Sequence, residues 1–495
     1  MSGLERRRAG VLLHPTALAG EHGALGAAAR ATIDWLAAAG YSVWQVLPLG
    51  PTGADGSPYW ARSDHAGNPA LIDWREAPDP QAEGDDYGRF RAHAAPWLED
   101  YALFEALAES HGGAAWWDWP AGERDREPGA LAAARVALGV RIEQRRREQW
   151  IFERQWNALR GHARERGVLL FGDLPIYVAP DSAATWADRA QFQLDEGGRP
   201  SAVAGVPPDY FSADGQLWGN PLYDWEQARR DGFAFWRARV ARQLERFDLV
   251  RIDHFRGLAA HWAVPAGAAS AREGRWVPTP GPELLAALRG GAGALPLVAE
   301  DLGLITPDVE ALRRDFDLPG MRVLQFGFDG SSGNPHLPHN YVRHTVAYTG
   351  THDNDTTLGW YRSLDAATAA RRRLPRLPPG RPAAGAGARG ARLGGRAGDR
   401  AGGRRARPRQ RGALQHTGHG GWQLALAHGA RRAGAGAGAA ARAAQPAVRP
   451  RRLRRAGSRA DSGEERVRLV LRHRAGARGD VRGEARGPRQ RLGGR

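Results

Sequence analysis

Asp248-Leu249-Val250-Arg251-Ile252-Asp253-His254-Phe255-Arg256-Gly257 is a short apolar run that ends in ionisable groups. It reads as a buried strand whose last residues emerge at the mouth of a sheet. Side chains two apart on a strand share a face. Arg251 and Asp253 therefore stand together, and the guanidinium is expected to keep the carboxylate ionised. Such a pair is either a structural ion pair at a strand end or an anionic nucleophile held ready, and the rest of the chain decides which.

The pattern recurs on both sides. Residues 168–178 form another apolar strand, interrupted by Asp173, a carboxylate that is costly there unless paired or functional. Residues 295–302, 321–328 and 345–351 are three further strand-like runs, separated by helical stretches at 282–288 and 307–316. Upstream, residues 11–16 open as a short strand into a Gly-rich loop at 20–26, and residues 27–40 have helical periodicity. Residues 41–49 then form an apolar strand that empties into Gly50-Pro51-Thr52-Gly53-Ala54-Asp55-Gly56-Ser57-Pro58-Tyr59. Near-continuous apolar strands alternating with helices predict a parallel sheet, as a (β/α) barrel or a doubly wound fold. Residues 77–167 read as a helical insertion with aromatic core residues. Residues 201–225, with Tyr210, Phe211, Trp218, Tyr223 and Trp225, read as an ordered aromatic loop, either a surface for sugar rings or a hydrophobic cluster.

Two more strand ends carry carboxylates: Val298-Ala299-Glu300-Asp301-Leu302-Gly303 and Tyr348-Thr349-Gly350-Thr351-His352-Asp353-Asn354-Asp355. Asp253, Glu300 and Asp353 would thus meet at the C-terminal face of one barrel, which independent ion pairs would not be expected to do. Retaining glycoside transfer needs one carboxylate to attack the anomeric carbon and a second carboxyl, of raised pKa, to protonate the leaving oxygen. Asp253 beside Arg251 suits the first role, and Glu300 at the end of an apolar run suits the second. Asp353 is left to bind sugar hydroxyls and steady the oxocarbenium-like transition state, with His352 donating a hydrogen bond nearby. The rival is a divalent metal held by Asp253, His254, Glu300, Asp301, His352 and Asp353, which no closely spaced pair of histidines supports.

Composition narrows the classes. The 495 residues contain no Cys, which excludes disulfides, thiolate metal sites and Cys nucleophiles. The first ten residues are polar and Arg-rich and no apolar run reaches membrane length, so a soluble cytoplasmic protein is expected. The net charge of +16 is unevenly spread: residues 371–495 hold 33 of the 70 basic residues, all Arg, but only 6 of the 54 acidic ones. The remainder is net acidic, so the charge does not describe the part with the strand-end carboxylates.

Taken together, these residues resemble the 4-α-glucanotransferases called amylomaltases or disproportionating enzymes, glycoside hydrolase family 77. The resemblance runs from about residue 10 to residue 370. It rests on Leu12-Leu13-His14-Pro15-Thr16, Gln45-Val46-Leu47-Pro48-Leu49-Gly50-Pro51-Thr52-Gly53, Gly56-Ser57-Pro58-Tyr59, Gly67-Asn68-Pro69 and Gly172-Asp173-Leu174-Pro175-Ile176. Val206-Pro207-Pro208-Asp209-Tyr210-Phe211, Gln216-Leu217-Trp218-Gly219-Asn220-Pro221 and the three strand ends already quoted complete the ordered set. It implies a (β/α)8 TIM barrel with helical insertions. Asp253 would be the nucleophile, Glu300 the acid/base and Asp353 the transition-state stabiliser, while Ser57, Tyr59, Asp173, Arg251 and His352 would contact sugar and Trp218 would lie in a loop over the acceptor side. It also implies maltooligosaccharides and starch- or glycogen-derived glucans as donors, glucose or a second glucan as acceptor, and no cofactor, metal, nucleic acid or membrane partner. A closing aromatic loop at 210–218 would exclude water and favour transfer over hydrolysis.

Beyond residue 370 the pattern stops. An Arg/Gly/Ala/Pro composition with few large apolar residues cannot build a core, and it is expected to be disordered. Gln415-His416-Thr417-Gly418-His419-Gly420-Gly421-Trp422-Gln423-Leu424-Ala425-Leu426-Ala427-His428 can be encoded by codons which, read one base later, spell Asn-Thr-Pro-Gly-Thr-Ala-Gly-Gly-Asn-Trp-Arg-Trp-Arg-Met. The family's late signature has the form Asn-x-Pro-Gly-Thr…Gly-Asn-Trp-x-Trp-Arg. A frameshift near residues 368–374 is therefore expected, leaving the barrel without its last βα unit and the literal chain weak or inactive. Two other functions are kept in view. An α-amylase-like hydrolase would raise reducing ends without redistributing chain lengths, and a polyanion-binding protein acting through the basic tail would bind RNA in a salt-sensitive way.

Overall fold

The computed structural model describes residues 7–18, 24–78, 84–208, 212–290 and 294–364. Its strands in chain order are β1 (Gly10–Leu12), β2 (Val43–Gln45), β3 (Leu169–Leu174), β4 (Ala202–Val206), β5 (Gln216–Pro221), β6 (Leu249–Ile252), β7 (Ala260–Pro265), β8 (Arg275–Pro278), β9 (Leu297–Ala299), β10 (Gly320–Val323) and β11 (Thr345–Tyr348). Its α-helices are α1 (Ala27–Ala38), α2 (Gly84–Ser110), α3 (Ala121–Arg124), α4 (Pro128–Ala137), α5 (Gly139–Glu165), α6 (Ala183–Ala187), α7 (Trp225–Arg230), α8 (Ala234–Arg246), α9 (Gly281–Arg289), α10 (Pro307–Asp315) and α11 (Thr357–Ser363).

A five-stranded parallel sheet runs in the order β1-β2-β3-β6-β9, and β10 pairs with β11, also in parallel. The Ala299 N–H donates to the Pro319 carbonyl at 2.9 Å, which stitches β10 to β9. The frame also curls: the Tyr348 hydroxyl on β11 donates to Gln45 Oε1 on β2 at 2.8 Å, a bond between strands far apart in the order. This is the α/β barrel expected from the sequence. Among the described residues β1 pairs as a strand only with β2 and β11 only with β10, and the region expected to lack a closing βα unit lies outside them.

The strands are buried because helices cover them. In α1 the residues Ala29, Thr32, Ile33 and Leu36 are buried at helical spacing, the pattern of a helix lying on a sheet. The largest core cluster joins Trp44, Phe152, Trp156, Val250, Leu297 and their neighbours, so α5 shares its packing with the sheet. A second cluster around Phe104, Trp116, Trp119 and Trp186 lies among α2, α4 and α6.

Three boundaries differ from the sequence reading. The stretch expected as a loop at 201–225 holds two strands among its described residues: β4 and β5 join β7 and β8 in an antiparallel sheet ordered β5-β4-β7-β8, and Trp218 stands on β5. Gly, Asn and Pro in this stretch hide a strand whose pairing is imposed by β4, not by its own propensity. Tyr210, Phe211 and the expected closing loop around them lie outside the described residues. The strand expected at 41–49 pairs only over Val43–Gln45, and that at 321–328 gives way to a 3₁₀ turn at Leu324–Gly327.

Candidate active site

Asp173 and Arg251 are register partners on β3 and β6. Cross-strand partners share a face, and here they meet as an ion pair of 2.6 Å with both side chains buried. The other arm of the guanidinium reaches Asp253 Oδ1 at 2.8 Å. The Tyr59 hydroxyl donates to Asp173 Oδ2 at 2.6 Å and lies 2.8 Å from His352 Nε2. A phenol has one proton, so His352 donates through Nε2 to the Tyr59 oxygen, which fixes its tautomer. The two rings stack at 5.3 Å and 9°. His352 Nε2 also lies 3.3 Å from Asp353 Oδ1. One chain of contacts thus links Asp253, Arg251, Asp173, Tyr59, His352 and Asp353 across three strand ends and the loop after β2.

Glu300 enters from the next strand. β6 and β9 are in register to the pair Ile252 and Ala299, so Asp253 and Glu300 are the next residues of neighbouring strands. The Glu300 N–H donates to the Ile252 carbonyl at 3.0 Å, continuing the ladder to that point. Neighbouring strands lie about 4.8 Å apart, the scale on which retaining glycosidases set their two carboxyls, about 5 Å. The Glu300 carboxylate accepts the N–H of His254 at 2.7 Å and that of Leu302 at 3.0 Å, and among the described residues no cation is bonded to it.

These settings separate the two acids. Burial pushes the Glu300 carboxyl up to about 8. Burial also raises Asp253, while Arg251 opposes that rise by favouring the ionised form. Proximity of Arg251 was legible in the sequence, whereas the loss of water around Asp253 was not. The direct 2.8 Å ion pair and a side chain 27% exposed keep Asp253 the stronger acid of the two. Burial works against the charge of Arg251, but Asp173 and Asp253 more than offset it and hold the guanidinium charged. Burial and Asp173 together keep the Tyr59 phenol protonated. Asp353, 63% exposed at its side chain, faces open space beside His352.

The remaining candidates divide. Trp218 lies edge-on to the His254 ring at 4.7 Å, beside the carboxylate cluster. Ser57 bonds none of the site's charged groups; its hydroxyl accepts the Tyr59 N–H at 3.3 Å and so shapes the turn that presents Tyr59. Asp301 faces away: it accepts the Met321 N–H at 2.6 Å and pairs with Arg313 and Arg322, packed where a Cβ on Gly320 would sit 2.3 Å from its Oδ2. Among the described residues no group of three His, Asp or Glu side chains is arranged to hold a metal ion.

The sequence reading missed the fastening behind the site. Arg239, fully buried on α8, bonds Asp64, Tyr223 Oη at 2.7 Å, and the carbonyls of Pro175 and Ile176 at 2.8 and 3.2 Å. Arg242, Gln243 and Arg246 hold the carbonyls of His65, Asp64 and Ala66. The loop bearing Tyr59 and the loop that follows Asp173 are therefore tied to one helix. The signal was present in the sequence, since residues 239, 242, 243 and 246 fall on the same buried face as Phe235 and Trp236.

The profile of glycoside hydrolase family 77, described as 4-alpha-glucanotransferase, matches residues 13–85 and 74–384. The chain belongs to this family. It is 49% identical over 401 residues to a 4-alpha-glucanotransferase of Thermus thermophilus, covering 72% of this chain and 80% of the relative. A 4-alpha-glucanotransferase of Synechocystis sp. is 45% identical over 408 residues, covering 72% and 81%. Among solved structures, the amylomaltase of Streptococcus agalactiae in complex with acarbose superposes with a TM-score of 0.70 at 34% identity, over 75% of this chain and 86% of that one. The 4-alpha-glucanotransferase assignment accounts for two carboxyls of different acidity on neighbouring strand ends of an α/β barrel.

Proposed function

We propose that this 4-alpha-glucanotransferase moves 1,4-α-glucan segments through a covalent intermediate on Asp253. The observation that carries the assignment of roles is the contrast between Asp253, bonded to Arg251, and Glu300, met among the described residues only by backbone N–H groups. An Asp253 oxygen attacks the anomeric carbon and the bond to the leaving 4-oxygen breaks, while Glu300 gives that oxygen its proton. Glu300 then takes the proton of an incoming 4-hydroxyl, which attacks the same carbon and frees Asp253. Asp353 and His352 bond sugar hydroxyls as positive charge develops, and Tyr59, Asp173 and Arg251 hold the ring and the nucleophile in place. Maltooligosaccharides and starch- or glycogen-derived glucans are the donors, glucose or another glucan is the acceptor, and the setting is cytoplasmic.

Incubation with maltotriose tests this reading. Glucose together with longer maltooligosaccharides is the expected outcome, whereas rising reducing ends without longer chains would indicate hydrolysis. Trp218→Ala is expected to lower the ratio of transfer to hydrolysis about 10-fold by opening the acceptor side to water; an unchanged ratio refutes that role.

The pH dependence follows from Glu300. The protonated form is required, so kcat/KM falls as pH rises through about 8. On the acid side it falls as Asp253 is protonated, and the two limbs belong to the pair. A profile of kcat/KM from pH 5 to 10 shows a bell, and an alkaline limb that persists in Glu300→Gln would remove Glu300 from the scheme.

We further propose that residues 371–495 are read out of frame, and that the chain's own signature lies one base away at residues 415–428. The family match supports this, since it ends at residue 384 while the Thermus relative is covered over 80% of its length.

A further inference from the structure

His254 follows Asp253 and is one of only a few residues other than glycine with positive φ among the described residues, at φ 48° and ψ 51°. L side chains rarely adopt that conformation, and strain of this kind persists only where the surroundings enforce it. Two contacts do so here. The imidazole and the Trp218 ring meet nearly at right angles, with centroids 4.7 Å apart at 83°. Gly257 leaves room beside the imidazole, since a Cβ there would lie 3.2 Å from His254 Cδ2. The Gly257 N–H donates to the His254 carbonyl at 2.9 Å, closing the turn.

The same backbone turn aims the His254 N–H at Glu300 Oε2, 2.7 Å away. Among the described residues the ring bonds nothing through Nε2, and burial keeps it neutral. Its part is therefore played by shape and not by charge.

We propose that His254 is a positioning residue: its ring, packed on Trp218 and accommodated by Gly257, holds the left-handed turn that delivers a backbone N–H to the Glu300 carboxylate. The groups that act on Glu300 are Arg251 on β6, Asp253 just after it, the Leu302 N–H from its own segment and this N–H. Of these only the His254 N–H depends on an aromatic wall. Glu300 is thereby made sensitive to Trp218, a side chain it does not bond, and filling or vacating the wall changes how readily Glu300 gives up its proton. This rests on Glu300 as the acid/base of the proposed mechanism.

The test reads Glu300 directly. In full-length protein labelled with ¹³C at glutamate Cδ, the Glu300 signal is identified by its loss in Glu300→Gln and titrated by NMR. His254→Ala, which removes the ring and disfavours the left-handed region, is expected to raise the Glu300 midpoint by about one pH unit, because the carboxylate loses one donor. Trp218→Ala is expected to move it in the same direction. His254→Asn, which favours the left-handed region, should return it toward the wild-type value and serves where the alanine variant does not fold. In the His254 variants the alkaline limb of kcat should follow the midpoint, with KM for maltotriose within 2-fold. An unmoved midpoint in His254→Ala and Trp218→Ala overturns the proposal, as does a midpoint that moves equally in His254→Asn and His254→Ala. A shifted midpoint with full transfer activity in Glu300→Gln would instead discard the role of Glu300 and leave the positioning intact.

Discussion

Asp253→Asn is expected to cut kcat for maltotriose disproportionation by about 10⁴-fold or more, the scale seen when a covalent nucleophile is removed. The substitution keeps the size of the side chain but removes the charge that would attack the anomeric carbon. Arg251 keeps its 2.6 Å bond to Asp173, and Asp173 keeps its bond to Tyr59, so the sugar-facing frame stays in place. KM should therefore change by no more than about 3-fold, since the interaction lost belongs to the transition state and intermediate. A variant that retains a tenth of the wild-type rate would rule out a covalent intermediate on Asp253. Mass spectrometry of intact protein quenched during turnover gives a second reading, because the variant should carry no glucosyl adduct. Asp353→Asn would not serve in its place, as that side chain is largely exposed and lies at the far end of the chain of contacts.

Shifting the reading frame by one base at residues 368–374 should raise transfer activity by about 10²-fold or more over the literal chain. The physical reason lies in the sheet. Among the described residues β1 pairs as a strand only with β2 and β11 only with β10, and a closed barrel would need a further strand between them. Asp353 and His352 follow β11, the strand at that boundary, and misplacing such groups by about 1 Å can cost 10²-fold in rate. Both proteins should be assayed for glucose release from maltotriose, with Asp253→Asn in the restored frame as the blank. Equal rates would show that residues 371–495 as written complete the enzyme, and sequencing the DNA of that stretch decides the frame itself.

The parts of the site that were legible share one trait: they follow long apolar strands. Asp253, Glu300 and the register neighbour Asp173 could be placed because parallel strands buried on both faces read as unbroken apolar runs. Trp218 could be picked out as a residue but not as part of a strand, since β5 owes its conformation to β4. The positive φ of His254 left no trace, because a left-handed turn is usually announced by Gly or Asn, and a histidine there depends on packing partners distant in the chain. The burial that opposes Arg251 at Asp253 left no trace for a similar reason: Arg251 is two residues away in sequence, whereas burial is set by packing between parts of the chain far apart. The arginines of α8 look, as letters, like a solvated helix face; only the buried neighbours Phe235 and Trp236 show that the face points inward.

That helix bears on how this catalyst could change. Because Arg239, Arg242, Gln243 and Arg246 hold both the loop of Tyr59 and the loop after Asp173, neither wall can drift alone. Substitutions that reshape one wall are transmitted to the other through α8, so altered preference for the acceptor would arise more readily at the antiparallel sheet that carries Trp218.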